Sequence, residues 1–135
     1  MNYTRRWYIP LFWVMIFLFV SCNKDEIPFD KDNPITGNWE FVVSSEEPSY
    51  TLYHMKRTAE LSEKYGSLYF GPEGEFKNAN SWGFTGQPTM FTGTWSAQND
   101  TIILVEITLP FAEKWKMAIK KLDKNTMEYY FLYDK

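Results

Sequence analysis

A single cysteine, a single histidine and a shortage of positive charge set the first limits on this chain of 135 residues. With only Cys22, no intramolecular disulfide can form. His54 stands without the surroundings a Ser-His-Asp arrangement needs. Zinc takes three or four Cys, His or carboxylate ligands, and here Cys and His offer one residue each, the cysteine at the end of the N-terminal apolar run. Lys and Arg number 14 against 17 Asp and Glu, and no basic stripe or RNA-binding motif appears. Nucleic acid is therefore not an expected partner. Gly71-Pro72-Glu73-Gly74 lacks the lysine and the following helix of a phosphate-binding loop. No repeat of 20–50 residues is visible. These absences point to a protein without catalytic residues, metal or cofactor.

The N-terminus carries Arg5 and Arg6, then an apolar run from Trp7 to Val20 broken only by Pro10. That run is 14 residues long, short of the roughly 20 a spanning helix needs. A positive start, a short apolar core and a small residue at the cut site describe a secretory signal peptide over residues 1–21. Ser21-Cys22 closes it and resembles the lipobox of bacterial lipoproteins, in which the cysteine is acylated and becomes the first mature residue. The resemblance implies a membrane partner, reached through acyl chains on Cys22. Several chains hold firmly where one holds marginally, at about 0.8 kcal/mol per buried methylene. Residues 22–36 then form an acidic, proline-bearing tether. As flexible coil its 14 residues after the cysteine reach about 20 Å. Lys24-Asp25-Glu26 resembles an export signal for display at the outer membrane surface. The expected localisation is thus the cell envelope.

Residues 37–135 are the size of one small domain. Trp39, Phe41 and Val43 alternate with polar or smaller neighbours, as a half-buried strand does. Residues 49–66 carry Leu52, Met55, Ala59 and Ser62 at helical spacing, between a possible cap at Ser49 and Gly66 at the C-terminal end. The spacing favours one short helix, although the Tyr/Thr-rich start fits a strand equally well. Strands follow over 67–70, 75–79, 89–97, 101–107, 114–122 and 126–133, separated by turn-forming clusters. The expected fold is all-β, an antiparallel meander closing into a small barrel with one helix.

Gly37-Asn38-Trp39, Leu68-Tyr69-Phe70, Gly74-Glu75-Phe76, Gly93-Thr94-Trp95 and Asn99 to Leu104, with Trp115 to Leu122, resemble the lipocalin-like domain of small envelope lipoproteins. The resemblance implies a barrel with an internal cavity and binding of a small apolar or amphipathic ligand. It also implies a basic side chain from a late strand over the first tryptophan, with Lys114 and Lys121 as candidates.

The candidate barrel-lining or ligand-binding residues are Trp39, Phe41, Phe70, Trp95, Trp115, Met117, Tyr129 and Phe131. An eight-stranded barrel has room for packed side chains or for one small ligand. Bulk of this size favours a filled interior, in which case the domain would be a protein–protein interaction module of the outer membrane. Trp82 and Phe84, on the loop from Asn80 to Pro88, are candidate rim residues. Glu46/Glu47, Glu60/Glu63 and Glu73/Glu75 read as solvated faces.

Overall fold

A computed structural model describes residues 30–80 and 89–133. Cys22, most of the tether, and the rim candidates Trp82 and Phe84 lie outside the described residues. The described chain is all-β: β1 (Gly37–Glu46), β2 (Thr51–Thr58), β3 (Leu68–Phe70), β4 (Glu75–Asn80), β5 (Thr89–Ala97), β6 (Ile102–Leu109), β7 (Glu113–Leu122) and β8 (Thr126–Phe131). Every pairing is antiparallel and the sheet closes in the order β1-β2-β8-β7-β6-β5-β4-β3. From β3 to β8 this is a meander. The first hairpin is set the other way round, so β1 pairs with β3 while β2 closes onto β8.

In place of the helix expected over 49–66 stand the strand β2 (Thr51–Thr58) and the bends and turn that follow it. Pro48 and Ser49 form the tip of the β1–β2 hairpin, with the Glu47 amide donating to the Tyr50 carbonyl. Beyond it β2 is held on both flanks, by β1 and β8. Two rows of ladder hydrogen bonds override the helical spacing of Leu52 and Met55. Gly66, at φ +84°, serves a turn in which Ser67 donates to the Lys64 carbonyl, not a helix end.

Register steps at Phe41/Val43, Thr92/Gly93 and Ile119/Lys121 mark β-bulges. An extra residue reverses which side chains point inward beyond it. In β1, Trp39 and Phe41 face the interior, Val42 is the extra residue, and Ser44 and Glu46 face inward after it. Val43 was expected on the face of Trp39, but the bulge turns it out and leaves it 53% exposed. The same device at Lys120 carries Leu122 back to the core. At Gly93 the facing strand is so close that a Cβ would meet the Glu106 carbonyl oxygen, which excludes any side chain there.

Candidate functional site

The two ends of the barrel differ. One is sealed by side chains. Trp39 is fully buried and donates from Nε1 to the Ile35 carbonyl at 2.8 Å. The Arg57 guanidinium lies 4.1 Å from the centre of its ring. Arg57 also donates to the carbonyls of Pro34, Thr36 and Lys124, tying the entering chain and the β7–β8 turn to one plug. Gly37, at φ +117°, leaves the guanidinium room, since a Cβ there would meet Nη1 at 2.7 Å. Burial lowers the Arg57 pKa, partly offset by the charge of Asp123. The basic residue over the first tryptophan is thus Arg57 of β2, not Lys114 or Lys121 of β7. Its position opposite Trp39 in the β1–β2 register places it there.

Above the plug, Phe70, Met117, Met55, Leu68 and Met127 fill the interior with almost no exposure. Phe70 meets Phe76 and Trp95 edge-on, and Trp95 donates from Nε1 to the Gly71 carbonyl at 2.9 Å. Trp39, Phe70, Trp95 and Met117 therefore stand in the packed part of the barrel.

The other end opens into a cavity of about 640 Å³. Phe41, Trp115, Tyr129 and Phe131 line it. Phe131 is the hub of its wall, with ring centres 5.5–5.6 Å from Tyr53, Trp115 and Tyr129 in edge-on contacts. Tyr53 and Tyr129 stack at 5.1 Å. Phe91 meets Phe111 edge-on across the far side. Burial pushes the Tyr129 hydroxyl far above the ordinary tyrosine pKa. Tyr53 is raised for the same reason, with a smaller contribution from the charges of Tyr133, Tyr65 and Glu46. The Asn78 amide donates to the Ser67 carbonyl at 3.2 Å in the wall. Oδ1 of Asn80 is buried with no hydrogen-bond partner among the described residues.

Sequence reasoning missed Tyr53, Phe91, Phe111, Glu46 and Glu113, which also line this cavity. Tyr53 was assigned to a helix, and the phase of Glu46 depends on a bulge without a local signature. Alternation through Glu113, Trp115 and Met117 was the available signal for Glu113.

His54 was expected to lack triad-like surroundings. The structure corrects this: His54 Nε2 lies 3.1 Å from Ser45 Oγ, and Nδ1 lies 3.3 Å from Glu128 Oε1. Pairing of β2 with β1 and β8 brings the three together on the outer face, away from the cavity. Hairpin alternation commits the Ser45 amide to the ladder with Leu52, so it is not free to receive an oxyanion. Among the described residues, no group of three His, Cys, Asp or Glu side chains is placed to hold a metal ion. No family model, curated protein or solved structure matches this chain.

Proposed function

We propose that this protein is a lipid-anchored envelope lipoprotein whose lipocalin-like barrel binds a small apolar or amphipathic ligand without turning it over. The observation that carries the proposal is the aromatic cavity of about 640 Å³, opening at one end of a barrel packed solid at the other. Small-molecule sites typically span about 300–1,000 Å³ and are mostly apolar with a few polar groups. The cavity supports ligand binding over a wholly filled barrel that acts only as a protein–protein module. The chain enters at the sealed end, where Arg57 grips the Pro34 and Thr36 carbonyls. An anchor at Cys22 would then join the barrel on the side opposite the mouth, leaving the cavity open to the surroundings.

Native mass spectrometry of protein released gently from its own cells tests the ligand reading. The expected result is a bound species of a few hundred daltons that is lost on mild activation. A bare mass throughout, with only protein adducts recovered by crosslinking in intact cells, would return the filled-barrel module. Cys22→Ser tests the anchor, and its expected effect is release of folded protein from membranes.

A further inference from the structure

We infer that the molecule this cavity selects is an organic cation, an amine or quaternary ammonium carried on an apolar body. The inference rests on the ligand-binding proposal above and adds the charge of the ligand to it. Two carboxylates border the cavity, one on β1 and one on β7, with β2 and β8 between them. The bulge at Val42 turns Glu46 inward, and its carboxylate oxygens accept from Thr51 Oγ1 at 3.2 and 3.1 Å. Glu113 shares the inward face of β7 with Trp115 and Met117, and no ion pair holds it among the described residues.

The cations nearby are arranged differently. Lys114 and Lys116 border the cavity along β7, but strand alternation directs their side chains outward. Lys64 lies 5.9 Å from the centre of the Phe41 ring, so that ring already has a resident cation, and Tyr53, Trp115 and Phe131 are left to meet a ligand's charge. Below the carboxylates, the rings of Phe41, Tyr53, Trp115 and Phe131 line the space. Aromatic faces carry partial negative charge and attract cations, more strongly where water is excluded. Acidic rim and aromatic wall thus favour the same sign of ligand, and both disfavour an anion.

Calorimetric titration of the purified chain with three matched probes tests the inference: benzyltrimethylammonium, its neutral carbon isostere neopentylbenzene, and phenylmethanesulfonate. The cation should bind about 2- to 30-fold tighter than the neutral probe, the range a cation–π contact gives. The anion should bind more weakly than either. In the double variant Glu46→Gln/Glu113→Gln the cation's advantage should shrink while the affinity for neopentylbenzene stays the same. Both residues are exposed at the rim, so folding should survive, as far-UV circular dichroism would verify. If the double variant does not fold, the single variants provide the same comparison. Equal or tighter binding of the neutral probe, or an advantage unchanged in the glutamine variants, overturns the cation inference and leaves a binding cavity. Failure of all three probes to bind overturns both.

Discussion

The sealed and open ends of this barrel are built from the same kinds of residue, large aromatics on neighbouring strands, yet they have opposite outcomes. At the sealed end Trp39 has a donor–acceptor partner in Ile35 and a guanidinium against its ring, and no surface remains exposed. At the open end Phe111 and Tyr133 remain 41% and 81% exposed, and the rings between them border empty space. What differs is what covers the aromatics. Arg57 ties two chain segments, the entering chain and the β7–β8 turn, through three carbonyls at one end, and its planar fork suits that task. No comparable crosspiece spans the mouth among the described residues. Side chains close one end, and open space remains at the other.

Paired truncations should separate the two roles. Trp39→Ala should cost about 3–5 kcal/mol, because it opens a large cavity in rigid surroundings, leaves the Ile35 carbonyl without its donor and removes the ring beneath the Arg57 guanidinium. Phe111→Ala should cost about 1 kcal/mol or less, since its ring is already part-solvated, yet it should weaken binding of an apolar probe. Urea denaturation and a probe titration on both variants decide the matter. Equal stability losses would erase the division between the ends.

A smaller effect is expected at the boundary, where Tyr129 is buried beside the cavity. Its folded-state pKa is raised by burial, so the native state holds it neutral. That stability is complete below the ordinary tyrosine pKa near 10 and is lost as pH rises above it, by up to about 1.4 kcal/mol per pH unit. Tyr129→Phe should therefore change little at pH 7 and flatten the loss of stability between about pH 10 and 11. An unchanged alkaline slope would mean that the tyrosine hydroxyl is solvated in the folded state.

Most of the fold was legible, because strands from β3 onward announce themselves by alternation and by turn residues at their ends. The site was legible only in part. Trp115, Tyr129 and Phe131 lie on faces that periodicity identifies, but nothing local says which end of the barrel each face reaches. Leu52 and Met55 carry a helical spacing that two flanking strands override. Glu46 resembles any solvated glutamate until a bulge four residues earlier reverses the phase of β1. Arg57 is one basic residue among many in the sequence, and only its register opposite Trp39 makes it a plug. Pairing partners and bulges are long-range properties, and they decide where bulk becomes core and where it becomes wall.

The sealed end also extends into the β7–β8 turn, where the smallest effect is expected. Arg57 holds this turn twice, through the Lys124 carbonyl to its side chain and the Asn125 carbonyl to its own amide. Asp123 shapes the turn, accepting from the Asn125 and Thr126 amides and the Thr126 hydroxyl at 2.7–2.8 Å. The Thr126 hydroxyl bond is the largest cause of its lowered pKa, followed by the two amides. A depressed carboxylate pKa contributes stability that is present above the ordinary value near 4 and lost as pH falls through the folded one. Asp123→Asn should accordingly be less stable than the parent at pH 7, with the difference closing below about pH 4. Hydrogen exchange locates the effect: faster exchange should appear at Thr126 and Arg57, while the amides of Tyr53 and Trp115 around the mouth keep their parental rates. Faster exchange at the mouth as well would show that the turn supports both ends, and that the barrel opens as one unit.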